Sequence, residues 1–148
     1  MKKKIIPVII LCMLLSACGG TKTNTAEAVI EINDSEIFTK SEIKSAIGKV
    51  KESFYDFGDC KILDLYYADG NIEYINEAYG KEFVEGIYDD SIPDEYRIVI
   101  VASFITGDDV NEPLEDNTTY YSWYWFLQRD SADGEWYVIT YRDPESFY

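Results

Sequence analysis

The 148-residue chain contains no histidine. That removes the commonest general base, the commonest zinc ligand and the usual serine or cysteine triads. Cationic side chains are also scarce, with 13 Lys and Arg against 28 Asp and Glu, a formal charge of −15. So acidic a chain is not expected to bind nucleic acid or an anionic membrane surface, since both demand basic patches. Cysteine occurs three times, at positions 12, 18 and 60. The apolar run Ile5–Leu15 spans 11 residues and is interrupted by Pro7. A membrane-spanning helix needs about 20 residues, so this run is too short to be one.

What the start of the chain does hold is an ordered set of signals. Met1-Lys2-Lys3-Lys4 is basic, the apolar run follows, and Leu15-Ser16-Ala17-Cys18 closes it. A basic start and a short apolar core fit a secretory signal. With the final tetrapeptide, the segment resembles the lipobox of bacterial lipoproteins, whose cysteine is lipidated and becomes the new N-terminus. The resemblance implies that residues 1–17 are removed and that Cys18 carries the lipid, so membrane lipid is the first expected partner. A diacylglycerol supplies two acyl chains, enough for stable anchoring where one chain is marginal. Loss of residues 1–17 removes three lysines and no acids, taking the net charge from −15 to −18. It also leaves Cys60 without an internal disulfide partner, reading as a small buried residue before Lys61-Ile62-Leu63.

Residues 18–34 read as a flexible tether, small and polar at first. Val29-Ile30-Glu31-Ile32 is less linker-like and reads as able to dock on the domain. The first regular element is a helix over Lys40–Phe57. Thr39-Lys40-Ser41-Glu42 fits a capping box, in which Thr39 caps the Glu42 amide and Glu42 reaches back. Ile43, Ala46, Ile47, Val50, Phe54 and Phe57 then recur at three- and four-residue spacing, one apolar stripe on a helix. Gly58 is its stop. A strand is expected over Lys61–Tyr67, closed by Ala68-Asp69-Gly70, then a short helix Asn71–Tyr79 ended by Gly80. Lys81–Pro93 reads as irregular and acidic. Glu95–Ile105 is the strongest strand; Ile98 to Ala102 is apolar on both faces, which predicts a central, doubly covered position. Gly107–Asn117 reads as a loop. Its Asp108-Asp109-Val110-Asn111-Glu112 run offers oxygen ligands but lacks the calcium-loop glycine and twelfth-position Glu, so no metal site is expected.

The remaining stretch, Thr118–Arg142, is the most aromatic part of the chain. It reads as two strands, Thr119–Arg129 and Glu135–Arg142, around the turn Asp130–Gly134, with Gly134 expected at positive φ. Side chains alternate along a strand. Tyr121, Trp123, Trp125 and Leu127 are the more apolar set and are expected to face inward. Tyr120, Tyr124 and Phe126, with Tyr137, Ile139 and Tyr141 of the second strand, form the other face and are candidates for a contact surface.

A capped helix followed by consecutive antiparallel strands predicts an α+β domain, residues 35–148, with the helix packed on a curved sheet. This order resembles the cone-shaped fold of nuclear transport factor 2, ketosteroid isomerase and the SnoaL-type polyketide cyclases. TKSEIKSAIGKVKESFYDF, CKILDLYY and SWYWFLQRDSADGEWYV are similar to a group of small lipoproteins of Gram-positive bacteria. The resemblance covers about residues 36–142. It implies a pocket between helix and sheet, with Asp64, Tyr121, Trp123 and Trp125 as candidate lining, and a homodimer through the sheet. The expectation is therefore a lipid-anchored protein on the extracytoplasmic face of a Gram-positive cell membrane, binding an unidentified ligand or protein without catalysis and without a cofactor. The alternative is a small isomerase- or cyclase-type enzyme with Asp64 as base and Tyr121 as donor, as implied by the isomerase branch.

Overall fold

The computed structural model describes residues 28–67, 71–89 and 91–147. The expected signal segment, Cys18, most of the expected tether and the expected turn at 68–70 lie outside the described residues. Five strands form one sheet in the order β1-β2-β3-β4-β5: Val29–Ile32, Gly58–Tyr67, Arg97–Val110, Thr119–Gln128 and Tyr137–Arg142. β1 runs parallel to β2, and every later pairing is antiparallel. Val29-Ile30-Glu31-Ile32, at the end of the stretch expected as tether, forms the edge strand of the sheet beside Asp64–Tyr67.

Helix α1, Lys40–Ser53, continues through a 3-10 turn, Phe54–Phe57, to the predicted end. Its capping box is complete. Thr39 Oγ1 accepts from the Glu42 amide at 3.3 Å, and Glu42 Oε2 accepts from the Thr39 amide at 2.8 Å. Gly58 follows at φ +86, where a Cβ would lie 2.6 Å from the Asp109 carbonyl oxygen. Only glycine meets both that backbone angle and that approach. Helix α2, Asn71–Tyr79, agrees with its expected bounds.

α1 lies on one face of the sheet. Ile43, Ile47, Val50 and Phe54 pack there with Ile62, Leu65, Ile98, Ile100, Phe104, Trp123, Trp125 and Leu127. Trp125 stacks on Phe54 with ring centroids 5.0 Å apart, and its Nε1 donates to Ser53 Oγ at 3.0 Å. The opposite face is covered too. There Ile75 of α2 and Phe83 and Ile87 of the following turns bury Val99, Val101, Tyr124 and Phe126. β3 is thus the central, doubly covered strand that its apolar run predicts. It is longer than expected, because Gly107–Val110 pairs back to Gly58–Cys60 instead of joining the loop.

Three corrections concern the aromatic hairpin. Tyr121 is 63% exposed and does not face the helix. Strict alternation fails at a bulge: between Ala102↔Trp123 and Phe104↔Tyr120, two residues of β4 oppose the single Ser103. Ser122 takes up the excess at φ 55. The bulge turns Tyr120 toward the α1 side, where it stacks on Phe104 at 5.0 Å, and turns Tyr121 out. Second, Tyr124 and Phe126 are not an outer contact surface. They are buried, because α2 and the turns after it supply a second layer. Tyr141 likewise packs toward the main core against Trp123 and Phe57, while Tyr137 and Ile139 stay exposed. Third, β5 begins at Tyr137 and Gly134 is not among the positive-φ glycines. Gly134 instead sits where a Cβ would crowd Ser131, 3.1 Å from its carbonyl oxygen.

Candidate functional site

The interior between α1 and the sheet is filled. Trp125 is fully buried and Trp123 nearly so, both surrounded by aromatic rings. The pocket expected between helix and sheet is therefore occupied by two of the four residues expected to line it, Trp123 and Trp125. Three recesses remain that bear on function; Asp64 lines one, Tyr121 and Trp123 line another, and Trp125 lines none of the three.

The largest, of about 600 Å³, lies between α2, the segment before α1 and the first residues of β3. Its apolar wall is built from Ile37, Phe38, Tyr67, Ile72, Ile98 and Val99. Ile37 is 49% exposed there although apolar. Glu73, Glu77 and Lys81 stand on the rim, with Arg97 paired to Asp94. The α2 spacing explains the geometry: Ile72 and Asn76 share a face, as do Glu73 and Glu77, so one turn presents an apolar wall and a charged lip. Asn76 Oδ1 is buried at this wall without a hydrogen-bond partner. An apolar concavity with a few polar groups is the ordinary form of a small-molecule site. None of these residues was singled out as a site from sequence. The usable signal was Ile37, an apolar residue ahead of a helix cap with no place on the α1 stripe.

The second recess, of about 390 Å³, contains Asp64. It opens on the α2 side of the sheet, away from Trp123 and Trp125. Two bulges meet there, one in β2 between Ile62 and Asp64, the other in β4 opposite Ser103. Asp64 Oδ1 accepts from the Ser103 amide and Ser103 Oγ accepts from the Ser122 amide, each at 3.2 Å. Tyr66 completes the wall. Burial raises its hydroxyl above the ordinary tyrosine value, and the Ser122 side chain beside it acts the other way. Asp64 is on this wall, while Tyr121 lines a third recess of about 280 Å³ with Tyr120 and Trp123. The base–donor pair of the enzyme reading is not assembled.

Elsewhere the chemistry is quiet. Burial, reinforced by the charge of Asp59, pushes the Cys60 thiol up to about 11, which keeps it in the unreactive neutral form. Asp108, on β3, accepts from Asn117 Nδ2 at 2.8 Å. Among the described residues, no three His, Cys, Asp or Glu side chains converge as a metal site. Arg129 is the functional-looking residue that sequence reasoning missed. It is buried, with Nη1 donating to Glu42 Oε1 at 2.7 Å, Nε and Nη2 donating to the Glu95 carbonyl, and its guanidinium 4.5 Å from the Trp136 ring. Every side of it is engaged, so it reads as a structural clamp. Compared with protein-family models, with curated proteins and with solved structures, the chain matches none.

Proposed function

We propose that this chain is a lipid-anchored protein of the extracytoplasmic face of a Gram-positive cell membrane, held by acylated Cys18, whose nuclear transport factor 2-like domain binds a small amphipathic ligand without catalysis. The anchor is supported by the basic start, apolar run and Leu15-Ser16-Ala17-Cys18 in order. The narrower fold assignment is supported by a single capped helix lying across a bent, largely antiparallel sheet. The single observation that carries the binding role is the 600 Å³ groove, apolar within and charged at its lip. A non-catalytic role is favoured by the separation of Asp64 from Tyr121. A homodimer through the sheet would use one of its edges, β1 with Val29 and Ile30 exposed or β5 with Tyr137 and Ile139 exposed, since α1 and α2 cover the two faces.

Two experiments test this. Cys18→Ala should leave the precursor unprocessed or release the protein from the membrane fraction; mature, membrane-bound Cys18→Ala protein would refute the anchor. For the groove, a thermal-shift screen of small amphipathic compounds should give hits that raise the melting point of the full chain by mass action. Ile37→Glu places a charge on the exposed apolar wall and should abolish those shifts in a folded protein. Hits indifferent to Ile37→Glu, or a screen without hits, would overturn the groove as the binding site.

A further inference from the structure

The recess at the sheet bend has features that the fold alone does not require. Its centre is Ser103 of β3, which is buried and faced by a bulge on either side. Ser122, a non-glycine residue at φ 55, lies in the left-handed region that ordinary L-residues seldom adopt and that recurs where structure serves function. Its position removes a regular ladder bond between β3 and β4 and substitutes a bond from the Ser122 amide to Ser103 Oγ. The β2 bulge does the same on the other side, turning Asp64 inward to accept from the Ser103 amide. Polar groups are thereby gathered where a regular sheet would present an apolar stripe. Among the described residues the Ser103 hydroxyl accepts one bond and donates none. It is a buried donor on the wall of an open recess, and buried polar hydrogens are normally partnered.

We propose that this recess, walled by Asp64, Tyr66, Ser103 and Ser122 with Glu31 at its lip, binds a small polyhydroxylated ammonium compound. The chemistry follows from the donor and acceptor inventory. Asp64 Oδ2 and the Glu31 carboxylate are acceptors that carry charge, which favours an ammonium group over a neutral donor. The Ser103 hydroxyl needs an acceptor, and a ligand hydroxyl can accept from it while donating to Asp64. An anion would meet two carboxylates and is excluded. The volume of about 390 Å³ suits a ligand of monosaccharide size rather than a polymer chain. This site is separate from the groove beside α2 and shares no wall residue with it.

The test uses the full chain in detergent micelles and glucosamine as probe, with binding followed by saturation-transfer NMR and titration calorimetry. Glucosamine should bind, and glucose, which lacks the charge, should bind about tenfold more weakly, the scale of one charge-assisted hydrogen bond. Asp64→Asn should weaken glucosamine binding about tenfold. Glu31→Gln, on an exposed edge strand where folding is not at risk, should weaken it by a smaller factor. Ile37→Glu, in the other groove, should leave it unchanged. The proposal is overturned if folded wild-type protein shows no saturation with glucosamine, if glucose binds equally well, or if Asp64→Asn and Glu31→Gln both bind as wild type. Loss of glucosamine binding on Ile37→Glu would likewise overturn it, by moving the site to the groove.

Discussion

Arg129→Met should be the most informative single change in the protein, because one side chain at the end of β4 holds three other parts of the chain. Its guanidinium holds Glu42 at the start of α1, the carbonyl of Glu95 in the 3-10 turn ahead of β3, and the face of Trp136 beyond the β4–β5 turn. Methionine keeps the apolar stem and removes the charge. Removing one partner of a buried ion pair costs about 3–5 kcal/mol, because the other charge is left without compensation. Here the partner is less than fully buried, Glu42 being 28% exposed against 5% for Arg129. Glu42 also keeps the Thr39 amide as a donor, at 2.8 Å. The lower end, about 3 kcal/mol, is therefore expected. At about 4 °C per kcal/mol for a domain of this size, the melting temperature should fall by roughly 12 °C. Glu42→Gln preserves the capping geometry, since Gln serves at that position, while deleting the charge. A double-mutant cycle of the two should give a coupling of about 1.5 kcal/mol by thermal or chemical denaturation. Acid gives an independent check. Hydrogen bonding from the Thr39 amide first, then the Thr39 hydroxyl and Arg129, holds the Glu42 carboxyl below its ordinary value of 4.5 despite the opposing effect of burial. A depressed carboxylate contributes stability above its unfolded value and loses it as the pH falls through the lower folded value. The gap between wild type and Arg129→Met should therefore narrow below pH 4.5 without closing, because the Arg129 bonds to the Glu95 carbonyl and its contact with the Trp136 ring do not titrate with Glu42. A loss under 1 kcal/mol at neutral pH, or a coupling near zero, would refute the clamp.

Three further outcomes follow from packing and backbone. Gly58→Ala should cost roughly 1–3 kcal/mol from a positive-φ residue, and more if the Asp109 carbonyl cannot retreat from the new Cβ; denaturation midpoints within error of wild type would contradict the geometry. Trp125→Ala should cost about 3–5 kcal/mol and Trp125→Phe clearly less, because phenylalanine retains the stack on Phe54 but abandons the bond to Ser53; equal losses, read from urea midpoints, would mean that the ring is not central to the core. Cys60, with its thiol pushed up to about 11, should resist maleimide labelling at pH 8 in the folded protein and react once the chain is unfolded; rapid labelling of folded protein would place it at the surface.

Local signals in the sequence reached far in this chain, and their failures share one cause. The capping box, the α1 stripe, Gly58 and the doubly apolar run of β3 each depend on residues within a turn or two of one another, and each appears at the expected place. The side-chain directions of β4 do not, because a bulge is a relation between strands. Nothing within TTYYSWYWFL tells that Ser103, sixteen residues before Thr119, will meet Tyr121 and Ser122 together. One inserted residue inverts the two-residue alternation, so Tyr120 and Tyr121 exchange faces while Trp123, Trp125 and Leu127, beyond the bulge, keep theirs. β2 repeats the pattern: Cys60 and Ile62 face α1 before its bulge, and Leu65 and Tyr67 face it afterwards. The second layer was hidden for a related reason. Phe83 and Ile87 sit in an acidic, irregular stretch with no period, yet they are what covers Tyr124 and Phe126.

The two bulges also explain why Asp64 could be noticed and still be misplaced. A carboxylate flanked by Leu63 and Leu65 stands out in any strand. By strict alternation from Ile62 it would share that residue's face and point at α1, into the supposed pocket with the tryptophans. The bulge at Leu63 sends it through the sheet to the other side, onto the Ser103 amide. The bulges and the recess belong together here. Ser103 lies where β2 and β4 both lose register, so its neighbourhood holds backbone amides that are not committed to the ladder. The side chains that satisfy those amides, Asp64 and Ser103, are the polar groups that line the recess. Deleting Leu63, the extra residue, should therefore restore a regular ladder with Ile62 still toward α1 and Asp64 still opposite Ser103, so the carboxylate keeps its face and the domain stays folded by thermal denaturation; a deletion that unfolds it would contradict this register.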